Sequence, residues 1–184
     1  MKLDKLSVEV YRRLIMENKD IGVKKMAKTE IKTNVMRILD KEKIDYKHYT
    51  YDGDGTTTGV EVASMLGQDP RRVFKTLVTV GKSKNYYVFV VPVEKELNLK
   101  LAAASVGEKS IEMIKSKDLL AVAGYIHGGC SPIGMKKNYK TTVDIQAEEF
   151  ETIIFSAGKI GYQVELSLED LGKVIQFQVA EIAE

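Results

Sequence analysis

The sequence predicts an α/β or α+β fold: a mixed, barrel-like sheet of about six or seven short strands with about four or five short helices interleaved. Three observations predict it. Val73–Val80 and Tyr86–Val93 are rich in β-branched and aromatic residues, which favour pleated, half-buried backbone. Ile31, Val35, Ile38 and Leu39 form an i, i+4, i+7, i+8 stripe, the period of a helix with one buried face. The connections between such segments are too irregular for a doubly wound parallel sheet.

Residues 1–28 differ from the rest of the chain. Val8, Tyr11, Leu14 and Ile15 sit at helical spacing, so a peripheral amphipathic helix is expected, with a basic joint after it at Lys24, Lys25 and Lys28. The sequence leaves open whether this is an upstream extension or a docking helix. The remaining residues, 29–184, read as one domain. A helix is expected over 30–42, then a strand from Ile44 to Tyr51 and a turn at Asp52-Gly53-Asp54-Gly55. That turn has the look of a calcium loop, but the later ligands are not at EF-hand positions. Thr58 and Glu61 form a capping box that opens a helix through Leu66, with Gly67 to end it. Asp69-Pro70 reads as an N-cap with proline at the first helical position.

After the two long strands, Asn98 caps a helix through Val106 that Gly107 closes. Ile111–Ile114 reads as a strand and Ser116–Ala123 as a helix. Thr141–Ile145, Thr152–Phe155 and Tyr162–Leu166 read as further strands. Ser167 with Asp170 opens a last helix at about 167–175.

Composition excludes several function classes. The net charge is only +2; residues 1–28 alone carry +4, so the body is near −2 and any nucleic-acid site in it must be a local patch. Cys130 is the single cysteine, which rules out an intramolecular disulfide. With two histidines beside that cysteine, a structural zinc site is not expected, and no metal or cofactor is called for. There is no apolar run long enough to cross a membrane and no leader pattern, so a cytoplasmic protein is expected.

The most distinctive stretch is Gly124–Lys140. It holds Gly124, Gly128, Gly129 and Gly134, together with Pro132, one of three prolines in the chain. Glycines let a ligand approach main-chain N–H groups and proline stiffens the turn, so the loop suits an oxygen-rich ligand. Lys136, Lys137 and Lys140 come next, where they could steer a polyanion. A plain turn with a solvated basic face is the competing reading. Lys75 lies inside a strand on the face of Val73, Leu77 and Thr79, either snorkelling at an edge or turned into a polar pocket.

The usual catalytic constellations are missing: no Gly-x-Ser-x-Gly elbow, Walker loop or His-Glu-x-x-His occurs. His48 and His127 read as surface or loop residues. Cys130 reads as a small apolar filler without a base partner. What remains is a site of backbone donors, one lysine and a few hydroxyls, suited to holding a carbonyl oxygen as charge develops on it.

These motifs, in order, resemble the YbaK-like family of aminoacyl-tRNA deacylases, related to the editing domain of prolyl-tRNA synthetases. The residues that carry the resemblance are Tyr49-Thr50-Tyr51-Asp52, Val73-Phe74-Lys75-Thr76-Leu77 and Gly124-Tyr125. They continue with Gly128-Gly129-Cys130-Ser131-Pro132-Ile133-Gly134, Lys136-Lys137, Phe150-Glu151-Thr152 and Ser156-Ala157-Gly158-Lys159 with Gly161. Order and spacing match over about residues 30–182. Residues 1–28 lie outside it.

The resemblance implies hydrolysis of Cys-tRNA(Pro), a mischarging product, with the acceptor end of an aminoacylated tRNA as partner and prolyl-tRNA synthetase as a candidate second partner. It implies that Lys75 and Gly128 are the catalytic pair. Tyr51, Phe74, Thr76, Gly129, Ser131, Pro132, Ser156 and Gly158 would surround the substrate, and Lys136, Lys137, Lys140 and Lys159 would meet tRNA phosphates. It also implies that the cysteinyl thiol attacks its own ester. Two residues depart from the pattern: Cys130 stands where an aliphatic residue is usual, and Gln163 stands where some members carry an acid. The alternatives are a deacylase for Ala-tRNA(Pro) and a non-catalytic tRNA-end-binding module of the same fold.

Overall fold

The computed structural model describes residues 31–184. The helix expected within residues 1–28 lies outside them. Lys32–Glu184 form one compact unit.

The first helix, α1 (Asn34–Lys41), is capped by Thr33, whose hydroxyl accepts from the Met36 N–H, and it buries Val35, Met36 and Leu39. Strand β1 (Lys47–Thr50) comes after it. The Thr58–Glu61 capping box is formed in full and starts α2 (Gly59–Met65). A 3₁₀ turn at Pro70–Arg72 leads into β2 (Phe74–Gly81), which turns back as β3 (Tyr86–Pro92). Helix α3 (Leu99–Val106) is capped by Asn98 and ends at Gly107, in the left-handed conformation. Then come β4 (Ile111–Met113), α4 (Ser116–Val122), β5 (Lys140–Asp144), β6 (Ile153–Ser156), β7 (Tyr162–Leu166), α5 (Leu168–Val174) and β8 (Phe177–Ala180).

The strands make two open sheets. One has the order β1-β7-β6, the other β4-β2-β3-β5-β8. A single parallel bridge, Val73 to Ile154, joins them. The expectation of one barrel-like sheet is corrected here: among the described residues there are eight strands, and the sheets do not close. The strand missed in the sequence is β8, which adds in parallel to β5 at the sheet edge and is only half-buried along its length. Four half-buried residues carry too weak an alternation to announce a strand.

The main core lies between the sheets, α1 and the glycine-rich segment. Phe74, Val78, Val88, Val90, Val143, Phe155 and Leu166 supply much of it. A second cluster packs α3 on the other face of β2 and β3, around Phe89, Val91, Ala102 and Ile182. A small third cluster of Ala63, Val73, Val93 and Ile154 seats α2 over the junction of the two sheets. Among the described residues, no helix is long and apolar enough to cross a membrane.

Candidate active site

The site is built on the junction. Val73 and Ile154 are bridged in parallel, and one pleat further along each strand stand Lys75 and Ser156. Alternation puts both on the face of Val73 and Ile154, away from the main core. Ser156 pairs with Gln163 on β7, and Gln163 with Tyr49 on β1. Lys75, Ser156, Gln163 and Tyr49 therefore form a transverse row across four strands. The Gln68 side chain donates to Gln163 Oε1 at 3.0 Å from above this face. Gln68 Oε1 is buried without a partner, a polar atom left over beside the row.

Beside the row, on the same face and one pleat back, lies a buried charge. Glu165 is 4% exposed and accepts hydrogen bonds from Tyr49 Oη, Thr152 Oγ1 and Arg72 Nη2. Burial alone would raise its carboxyl, but the Thr152 and Tyr49 hydroxyls and the Arg72 guanidinium outweigh that and bring it down to about 2. The same contact, with burial, raises the Tyr49 phenol. The network fixes β1, β7 and the Arg72 turn to one another.

Lys75 is held at its tip. Its Nζ donates to Glu96 Oε1 at 2.8 Å; the lysine side chain is 27% exposed and the glutamate 83%. The lysine is thus neither free in solvent nor sealed in the core.

Three glycine-bearing loops converge next to the row. A Cβ built on Gly128 would come within 3.0 Å of the Gly55 α carbon, and one on Gly129 within 3.1 Å of the Ile160 nitrogen. The Gly161 carbonyl accepts from the Tyr51 N–H at 3.0 Å. Only backbone without side chains packs this closely. The cluster connects to the row at Ser156, and α2 after it to the junction at Val73. Ser156 Oγ accepts from the Gly158 N–H at 3.2 Å. Gly59, at the head of α2, lies hard against Val93, whose N–H donates to the Val73 carbonyl.

Within the loop the donors are not equivalent. The Gly129 N–H is spent on the Ile126 carbonyl at 3.0 Å, whereas the exposed Gly128 N–H has no partner among the described residues. Tyr125 holds the loop from inside, its hydroxyl donating to the Ile133 carbonyl at 2.6 Å. Burial, with the Cys130 sulfur nearby, pushes the Tyr125 phenol up to about 12. Burial also pushes the Cys130 thiol up to about 12, so it stays protonated and un-nucleophilic at neutral pH.

Of the residues expected at the site, the structure brings Lys75 and Ser156 onto one row, and Gly128, Gly129, Gly158 and Tyr51 into the adjoining loops. Several expectations need correction. Phe74 is 2% exposed and belongs to the main core, and Thr76 shares its face of β2, opposite to Lys75. Neither side chain faces the row. Ser131 is fully buried, its hydroxyl accepting from the Ile133 N–H, and Pro132 is buried beside it; both shape the loop from within.

Two of the four expected phosphate-binding lysines serve the fold. Lys136 Nζ donates to the Leu120 and Ala121 carbonyls at the end of α4, and Lys140 Nζ donates to the Val106 carbonyl at the end of α3. Cations suit helix C-termini, where carbonyls lack N–H partners. Lys137 is exposed, and Lys159 stacks over Tyr162 at 5.1 Å, next to Gly129. A separate open groove of about 860 Å³ runs between residues 132–141 and 172–178 and holds Lys137 and Lys140 but no residue of the row.

Sequence reading missed Tyr49 as a member of the row, the Gln68–Gln163 pair, Glu96 and the Glu165 network. An acidic residue between apolar neighbours in Gln-Val-Glu-Leu was the one available signal, since a strand that buries its acid must supply partners for it.

Comparison with known proteins agrees with this architecture. The family described as "Aminoacyl-tRNA editing domain" matches residues 54–174. The Enterococcus faecalis protein named "Putative Cys-tRNA(Pro)/Cys-tRNA(Cys) deacylase EbsC" is 46% identical over 156 residues, covering 84% of this chain and 95% of that protein. A proline–tRNA ligase of Thermosipho melanesiensis is 29% identical over 125 residues; the match covers 67% of this chain and 21% of the ligase. The structure reported as "Crystal structure of a putative trans-editing enzyme for prolyl tRNA synthetase" shares the fold, with a TM-score of 0.72 at 21% identity, over 83% of this chain and 98% of that one. The resemblance read from the ordered motifs is therefore borne out, and the chain belongs to the aminoacyl-tRNA editing domain family.

Proposed function

We infer that the chain is an aminoacyl-tRNA deacylase that acts in trans on mischarged Cys-tRNA(Pro), releasing cysteine and free tRNA. Family membership and the name of the 46% identical relative support the reaction class. The observation that carries the chemistry is the N–H of exposed Gly128, without a partner among the described residues, beside a strand row that bears a cation and hydroxyls but no competent nucleophile.

In this reading the substrate supplies the nucleophile. The cysteinyl sulfur bonds to its own ester carbon, the bond from that carbon to the terminal ribose oxygen breaks, and the thiol proton passes to that oxygen. Cysteine thiolactone and tRNA result, and water then opens the thiolactone to cysteine. The Gly128 N–H binds the oxygen on which charge develops. Lys75 contributes positive charge at the same end, and Ser156 lies beside it. Holding sulfur and carbonyl in line supplies much of the rate, since effective molarities of about 10⁵ M or more accompany well-oriented intramolecular attack. Lys159 and Lys137 are the exposed cations left for acceptor-stem phosphates. Prolyl-tRNA synthetase as a partner and the cytoplasm as location belong to the same proposal.

The test is deacylation of Cys-tRNA(Pro), Ala-tRNA(Pro) and Ser-tRNA(Pro), each with and without prolyl-tRNA synthetase. Rapid loss of cysteine, with serine and alanine esters largely stable, is expected. Equal turnover of the alanine ester would rule out a substrate thiol as nucleophile, and no release from any of them would remove the deacylase reading.

A further inference from the structure

We propose that Glu96 is a positioning residue for the reaction: it holds the Lys75 ammonium on the face of the strand row and leaves two of its three N–H donors for the substrate. This rests on the deacylase reading.

Three observations carry it. First, the Glu96 carboxylate takes the Lys75 ammonium at 2.8 Å from a place open to solvent, at the end of the β2–β3 hairpin. Lysine alone among the row residues has a four-carbon stem, and without a fixed acceptor its amine would sample many rotamers. Secondly, the backbone beneath Glu96 is clamped on both sides. Val93 donates to the Val73 carbonyl, Lys95 to the Pro92 carbonyl, and Glu96 exchanges a reciprocal pair of hydrogen bonds with Glu184, each at 3.0 Å. Thirdly, the strip that provides Glu184 is itself pinned from the interior. Asp144, 1% exposed, accepts the Ile182 and Ala183 N–H groups on one carboxylate oxygen, each at 3.0 Å. The Asn98 side chain donates to the Glu184 carboxylate at 2.6 Å, and the Asn98 N–H donates to the Ile182 carbonyl.

A buried carboxylate, residues 182–184 and a tight turn thus fix the Cα of an exposed glutamate in front of Lys75. An ordinary surface ion pair has no such scaffold behind it. An ammonium carries three donors. One goes to Glu96, and the remaining pair can reach an ester or ribose oxygen without the glutamate leaving. Glu96 therefore acts on kcat through Lys75 rather than on tRNA binding.

The experiment compares wild type, Glu96→Ala, Glu96→Gln and a chain ending at Ile182, in steady-state deacylation of Cys-tRNA(Pro) and in crystal structures. Exposed ion pairs are worth about 0.2–1 kcal/mol, so Glu96→Ala should lower kcat about two- to fivefold with little change in KM. Glu96→Gln keeps an acceptor and should recover at least half of that loss. The shortened chain should lose activity as Glu96→Ala does, because the clamp is gone while the row is intact. In the Glu96→Ala crystal the Lys75 amine should leave its position. A lower KM with unchanged kcat would make Glu96 a competitor of the tRNA and overturn the proposal, as would an unmoved Lys75. If wild type itself releases no cysteine, the deacylase reading fails, while the two crystal structures still decide whether Glu96 sets Lys75.

Discussion

The α carbon of Gly128 faces the backbone of Gly55 so closely that a Cβ on it would stand 3.0 Å from the Gly55 α carbon and 3.2 Å from its carbonyl oxygen. Neither atom can swing aside as a side-chain tip would. Gly128 also has φ +78, which costs a residue with a Cβ about 1–2 kcal/mol. Gly128→Ala should therefore displace the loop and with it the Gly128 N–H, which has no partner among the described residues. A fall of about a hundredfold or more in kcat/KM is expected, the size seen when a single oxyanion donor is lost. Thermal unfolding of the same variant should show only the modest loss that the left-handed φ imposes, which separates the two effects.

Lys75→Ala removes the one cation of the row. Turnover of Cys-tRNA(Pro) should fall about a hundredfold, because charge developing on the ester oxygen loses its electrostatic partner. Binding of uncharged tRNA, measured by filter retention or anisotropy, should change little, since exposed lysines elsewhere carry phosphate attraction. Equal losses of binding and turnover would instead make Lys75 a tRNA anchor.

Cys130 tests the opposite expectation. Burial keeps its thiol protonated up to about pH 12, so it has no thiolate to offer at neutral pH. Cys130→Ala should leave kcat within about twofold and cost roughly 1 kcal/mol of stability as a small buried side chain is truncated. Iodoacetamide should label the native protein far more slowly than the unfolded one. Fast labelling with loss of activity would contradict the protonated, buried thiol.

The lysines divide by position. Lys159→Ala and Lys137→Ala should each weaken tRNA binding across all sequences and make the dependence of log K on log salt shallower by about one. Lys136→Ala should instead lower the melting temperature, because its ammonium satisfies the Leu120 and Ala121 carbonyls. A change of salt slope in the Lys136 variant would place it on the tRNA path after all.

The pattern of what could be read from the sequence reflects range. Gly128 and Lys75 stood out because local composition marks them: glycines beside proline, and a cation inside a strand. The edges of β2, β3, α2 and α3 were legible for the same reason, through caps and pleat residues close in sequence. Phe74 and Thr76 misled because motif neighbours of Lys75 are, in a pleated strand, on the opposite face. Lys136 and Lys140 misled because only the fold shows that helix ends lie within reach of their amines. The Tyr49–Glu165 contact joins residues 116 positions apart, and Glu96 is tethered by the far end of the chain. Neither leaves a local signature.

The Glu165 network makes stability depend on acid in a stated window. Its carboxyl sits at about 2 in the folded chain against a reference of 4.5, so the folded state binds its proton less readily than the unfolded chain does. The resulting stabilisation is fully present above about pH 4.5 and is lost as pH falls toward 2, on the order of 3 kcal/mol in all. Glu165→Gln should remove that dependence. It should also destabilise at neutral pH by about 3–5 kcal/mol, because Arg72 is left as a partly buried cation without its counter-charge, and its Nε is already unpartnered. Urea unfolding of both proteins at pH 3, 5 and 7 measures this. The wild-type curve should drop steeply between the two lower values, and the variant should lie below it at pH 7 and approach it at pH 3. Parallel curves for the two proteins would mean that Glu165 is not the group being titrated, and the row of Lys75, Ser156, Gln163 and Tyr49 would then need another foundation.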